Sequence, residues 1–163
     1  MRNAFMMLLL LLAPLSVHAD VIFNLDNPIQ TSLPGGTVTF TGTLFNNDTV
    51  DVFLNGASAD LPYAELSVDF TDFFTLVPLS LSAGGSYSGP ILDVDVTNAA
   101  VPGDYFGSFT IQGGADGAAI DDLATENFQV TVAEAVTTVP EPSTVILLAS
   151  ALLGLVLFQQ RLA

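Results

Sequence analysis

The side chains able to do chemistry in the middle of this chain are carboxylates and hydroxyls. Between Asp20 and Val139 there is no Lys, Arg, His, Cys or Trp, while that stretch holds every one of the chain's 17 acids except Glu141. The only basic residues are Arg2 and Arg161, and the single histidine is His18. Ser-His-Asp and Cys-His catalysis therefore lack their base or nucleophile. Zinc sites built on His or Cys, disulfides and Schiff-base lysines are excluded for the same reason. Nucleic-acid binding needs cations to displace phosphate counterions, and this region has none.

What remains is oxygen chemistry. Calcium takes oxygen ligands, so Asp93-Val94-Asp95 is a candidate, with Asp104 following Asp93 at the spacing of an EF-hand loop. The sixth loop position, however, is Asn98 rather than glycine. The competing expectation is that Ile91, Leu92, Val94 and Val96 are strand residues with both aspartates on the wet face. Asp116, Asp121 and Asp122 around Gly117 form a looser group. A glycosidase needs an acid and a base across a cleft, yet Glu65, Glu126 and Glu134 are the only glutamates in the region, and sugar-stacking Trp is missing. The expectation is that the protein is not an enzyme and needs no cofactor. The row Thr37, Thr39, Thr41 and Thr43 would suit ice binding only if repeated on neighbouring strands; the solvent face of one strand explains it. Phe70, Phe73, Phe74, Leu76 and Val77 read as core and strand edge, or, if exposed, as a surface for self-association.

The elements that must carry these residues follow from patterning. Short alternating runs, separated by Gly, Pro, Asn and Asp clusters, predict strands at Val21–Leu25, Thr37–Phe45, Val50–Leu54, Leu66–Thr71, Tyr87–Thr97 and Tyr105–Gln112, and a last one around Phe128, Val130 and Val132. Asn55-Gly56 reads as a turn, Phe73–Leu81 as an apolar stretch, and Gly113–Asp122 as a loop. This is an all-β chain. About seven strands in residues 20–133 suit a single antiparallel immunoglobulin-like sandwich, with a jelly roll as the competing topology. Pro102-Gly103-Asp104-Tyr105 resembles the turn into strand F of such domains, which would make Tyr105 the corner tyrosine.

Both ends of the chain are apolar. Arg2, then Ala4–Val17 with Pro14 inside it, then Val17 and Ala19 at small-residue positions, predict a signal peptide over residues 1–19, cut by signal peptidase between Ala19 and Asp20. A spanning helix would need ~20 apolar residues. After a linker at 134–138 comes Val139-Pro140-Glu141-Pro142-Ser143, then an apolar run predicted as a transmembrane helix over 144–160, with Arg161 as the membrane stop. Two prolines stiffen the segment and Glu141 adds one readable charge, which suits capture by a protease groove.

This arrangement over Val139–Ala163 resembles the PEP-CTERM sorting signal of Gram-negative bacteria. The resemblance implies recognition of Pro140, Glu141 and Pro142 by an exosortase, an integral-membrane cysteine protease. Family tails often end in a basic cluster, and here a single arginine stands. Substrates of this system are commonly surface or exopolysaccharide-associated proteins. The implied product is a membrane-anchored precursor that becomes a non-enzymatic cell-surface or extracellular-matrix protein of a biofilm, partnered by exopolysaccharide or by itself. A calcium- or glycan-binding module at the surface is the alternative, and a carboxylate hydrolase ranks behind it.

The missing lysines make the N-terminal expectation easy to check. A chain beginning at Asp20 has one primary amine, with a reference pKa of about 7.7–8.0, and no trypsin site before Arg161. The exported protein is expected to take a single amine-reactive label and to keep it through trypsin digestion in denaturant. Loss of the label with a fragment ending at Arg2 would mean that the leader is retained.

Overall fold

A computed structural model of the protein describes residues 20–134 and Ser150. The signal peptide, the sorting residues Val139–Ser143, the expected membrane helix and Arg161 lie outside the described residues. Among the described residues, no helix is long and apolar enough to cross a membrane.

Within residues 20–134, nine strands and one short helix follow in order: β1 (Val21–Leu25), β2 (Ile29–Ser32), β3 (Thr37–Asn46), β4 (Val52–Asp60), β5 (Leu66–Asp69), α1 (Thr71–Leu76), β6 (Ser80–Leu81), β7 (Ser86–Val96), β8 (Gly103–Gly114) and β9 (Asp121–Val132). They form two sheets, β1-β3-β7-β5 and β2-β9-β8-β4-β6. The first has the A-B-E-D order of an immunoglobulin constant-type sandwich, and β4-β8-β9 in the second has its C-F-G order. This answers the jelly-roll alternative.

Period-two sequence produces this architecture. Burial in β1 alternates residue by residue, and in β3 Val38, Phe40 and Leu44 point inward between threonines. Phe40, Leu44, Ile91, Leu92, Val94, Phe109, Ile111 and Val130 are completely buried between the sheets. Phe109 is the aromatic centre, with ring centroids of Phe23, Phe70 and Phe73 5.9, 6.0 and 6.0 Å away. The Tyr105 hydroxyl donates to the Val101 carbonyl at 2.9 Å, four residues upstream, as a tyrosine corner requires.

Five expectations are corrected. The sandwich is not wholly antiparallel: β2 pairs parallel with β9 over Ile29–Ser32 and Gln129–Val132, because the chain crosses between sheets after Leu25. Besides β2, the short β6 also goes beyond the seven predicted strands. Asn55-Gly56 is not a turn. β4 runs through it, with a register shift against β8 between Leu54 and Gly56, and there Gly113 comes so close that an added Cβ would overlap the Phe53 carbonyl. Leu66–Thr71 stops as a strand at Asp69, and α1 starts at Thr71 and runs into the apolar stretch, burying Phe73. The Gly113–Asp122 loop shrinks because β8 and β9 extend into it.

One buried polar residue ties the turns at one pole together. Asn46 is fully buried, and its Nδ2 lies 2.8, 3.0 and 3.1 Å from the carbonyls of Val50, Leu81 and Ser82. Its Oδ1 accepts the Asp48 N–H at 3.0 Å. Asp20 lies at this pole, where its carbonyl accepts the Asn47 N–H at 2.9 Å. β9 ends at the opposite pole, beside the 33–36 turn, where the Ala133 N–H donates to Ser32.

Two outcomes follow from this arrangement. Asn46→Ala strands several buried backbone groups and is expected to lower stability by about 2–4 kcal/mol, read as a lower urea midpoint with an unchanged slope. Asp72 in α1 has its carboxyl pKa raised, first by partial burial and then by the charges of Asp93 and Asp69. A raised native-state pKa means that the charge opposes folding above it and that stability recovers as pH falls through it. Asp72→Asn should therefore raise the melting temperature at pH 7, and the gain should vanish below the ordinary carboxylate range of about pH 4.

Candidate functional site

The register of β3 on β7 decides what the predicted oxygen residues do. Thr37 stands opposite Asp95 and Thr39 opposite Asp93. Each threonine hydroxyl donates to the aspartate facing it, at 2.5 Å in both pairs. Thr41 donates to Asp26 at 2.9 Å and Thr43 to Ser88 at 3.2 Å. The threonine row and the Asp-Val-Asp run are therefore two halves of one ladder on the wet face of the four-stranded sheet. Period two in both strands was legible, but the pairing of β3 with β7 was not.

β5 adds Asp69 directly opposite Asp93. Two carboxylates facing across a sheet repel one another. Asp69 is relieved locally: its pKa is lowered by the Thr71 hydroxyl and then by the Thr71 N–H, which donate at 2.6 and 2.8 Å. The Tyr87 phenol is raised by partial burial, with a smaller contribution from the Asp72 charge.

Asp104 does not join Asp93 and Asp95. It lies on β8, in the other sheet, and accepts the Thr131 hydroxyl at 2.7 Å. The EF-hand spacing in sequence spans a crossover between sheets, which separates its ends. Around Gly117, Asp116 accepts the N–H groups of Ala118 and Ala119 at 2.9 and 3.0 Å, while Asp122 accepts from Gln112 at 2.9 Å. Asn55 pins this loop by donating to the carbonyls of Asp116 and Ala119, both at 2.8 Å. Among the described residues, no three acids are grouped as metal ligands.

An open groove of about 560 Å³ lies beside α1, lined by Val68, Asp69, Phe70, Thr71, Phe74, Thr75 and Asp95. None of Glu65, Glu126 and Glu134 lines it. The apolar cluster divides: Phe73 and Val77 are buried, while Phe74 and Leu76 are 60% and 50% exposed.

The ends of the sandwich present the other candidate site. At the N-terminal pole the Asp20 carboxylate accepts from Asn47 at 2.7 Å. At the far pole β9 is held on both sides, by β8 through Gly103 opposite Val132 and by β2 through Ser32 opposite Val132. The chain thus leaves toward Val139, Pro140, Glu141, Pro142 and Ser143 from an anchored strand.

Several solved structures resemble the sandwich. The ASH / PapD-like domain of human CEP192 is 19% identical over 76% of this chain and 94% of that one, with a TM-score of 0.43. The alpha-2-macroglobulin of Escherichia coli, from domain MG7 to the C-terminus, is 22% identical over 72% of this chain and 17% of that one, at 0.47. A family 123 glycoside hydrolase from Clostridium perfringens is 9% identical over 74% of this chain and 28% of its own, also at 0.47. No curated protein matches the chain in sequence. One protein family does match, over residues 138–161, and its description is the PEP-CTERM protein-sorting motif. The tail beyond the sandwich is therefore a PEP-CTERM protein-sorting motif, which implies an exported protein processed at the cell envelope by an exosortase, a membrane protein.

Proposed function

We propose that the chain is a non-enzymatic surface or extracellular-matrix protein whose β-sandwich is the delivered cargo. In this reading residues 1–19 direct export, and residues 144–160 hold the precursor in the membrane with Arg161 as the stop. The exosortase then acts near Pro140-Glu141-Pro142, and the domain passes to the surface or to a biofilm matrix. The observation that carries the reading is the sorting motif at residues 138–161.

Two features of the domain support it. The chain leaves β9 at the pole opposite Asp20, so leader and tail attach to opposite ends of the sandwich. The carboxylates of the described face are engaged by threonine hydroxyls, as a solvated surface would use them, rather than directed into an enclosed cleft.

Processing gives the test. Glu141→Ala is expected to leave the full-length precursor in the membrane fraction, while the parent chain matures to a shorter form seen by mass spectrometry. A Glu141→Ala chain that matures at the normal rate and site would reduce the tripeptide to a linker.

A further inference from the structure

The second sheet ends in an unfinished edge. On its far side β4 is paired only at Val52 and Phe53, with β6, and the Leu54 N–H donates to the Leu79 carbonyl at 2.9 Å. From Gly56 to Asp60 the strand is paired with β8 on one side, and among the described residues no strand lies along the other. Such an edge offers a row of backbone donors and acceptors to any extended chain.

The other free backbone is either short or charged: β9 from Asp121 to Phe128, which β2 does not reach, carries Asp121, Asp122 and Glu126. β2 and β5 are four residues each, and β1 is bracketed by Asp20 and Asp26. The β4 edge instead reads Gly56-Ala57-Ser58-Ala59 before Asp60. It has no proline and no lysine to keep another strand away, and its small side chains permit close approach.

We propose that a second copy of this chain pairs with that edge, β4 against β4 in antiparallel sense about a two-fold axis through Ser58. In an antiparallel pair, residues directly opposite share a face. The two-fold therefore places Ser58 opposite the partner's Ser58, Ala57 opposite the partner's Ala59, and Gly56 opposite the partner's Asp60. The only acids on the edge face glycine rather than each other. The length also fits itself. Pairing cannot extend past Asn55 on one copy, because Leu79 already holds Leu54, and there the partner's chain reaches its Pro62, which has no N–H to give. Leu79, 79% exposed at the head of the edge, lies beside that junction. A basic peptide finds a single carboxylate along the same stretch, so charge does not favour a foreign strand there.

The overall charge gives the association a signature. Two chains of formal charge −15 repel, and salt screens that repulsion over about 10 Å at 0.1 M. The dimer should strengthen as salt rises.

The test uses sedimentation velocity on the full chain in mild detergent, over a range of protein and salt concentrations. A reversible monomer–dimer equilibrium that shifts toward dimer with salt is expected. Ser58→Lys lowers the net negative charge, which would favour non-specific association, yet it sets two lysines against each other at the two-fold. It should abolish the dimer at an unchanged melting temperature. Because the chain has no cysteine, Ser58→Cys introduces a single thiol. Its partner lies within ~4.5–5.5 Å between Cα atoms, inside disulfide range. It should cross-link under mild oxidation, while Ser88→Cys on the other sheet stays monomeric. A monomer at every concentration would overturn the proposal and leave the edge for a foreign strand. A dimer that survives Ser58→Lys, dissolves with salt, or cross-links no faster through Ser58→Cys than through Ser88→Cys would overturn it too.

Discussion

A cation-free domain must satisfy its carboxylates with neutral donors, and that constraint organises the surface. Between Asp20 and Val139 no side-chain salt bridge can form. Hydroxyls and amides take the place of lysine and arginine: Thr37 and Thr39 for Asp95 and Asp93, Thr71 for Asp69, Asn47 for Asp20, Gln112 for Asp122. Each such bond contributes on the order of 1 kcal/mol net, and none is weakened by salt as an ion pair would be. Asp72 shows the cost of a carboxylate left without such relief: partial burial raises its pKa first, and the charges of Asp93 and Asp69 add to it.

Inside, the same economy holds with apolar means. Phe109 joins the two sheets and α1 through edge and tilted ring contacts, which favour offset geometries. The fully buried Asn46 supplies what the core cannot, donors and an acceptor for turn backbone between β3, β4 and β6. Among the described residues, no buried side-chain polar atom is left without a partner.

How much of this was legible in the sequence depended on the range of the interaction. Alternation announced β1, β3, β7 and the end of β9, since one face of each strand is core. Tyr105 was identified from its turn, a local signal confirmed by the bond to Val101. β2 was not legible: Ile29 is exposed and the strand exists through its parallel partner β9. Asn55-Gly56 carries a strong turn signal, overridden because Asn55 finds better use holding the β8–β9 loop. The EF-hand-like spacing shows the same dependence on range. Spacing along the chain brings Asp93, Asp95 and Asp104 together only if no sheet change intervenes, and one does. The sorting motif, by contrast, was legible because its recognition needs sequence order rather than fold.

The double clamping of β9 has a mechanical meaning. A chain tethered by its tail is pulled from the Ala133 end, along the axis of β9 and away from the body. Its ladder with β8 spans from Gly103 opposite Val132 to Gly113 opposite Asp121, and β2 grips its other side. Hydrogen bonds in such ladders lie across the strands, so tension loads them together in shear instead of opening them one by one like a zipper. The described domain thus ends on a strand held from both sides, which loads its bonds in parallel.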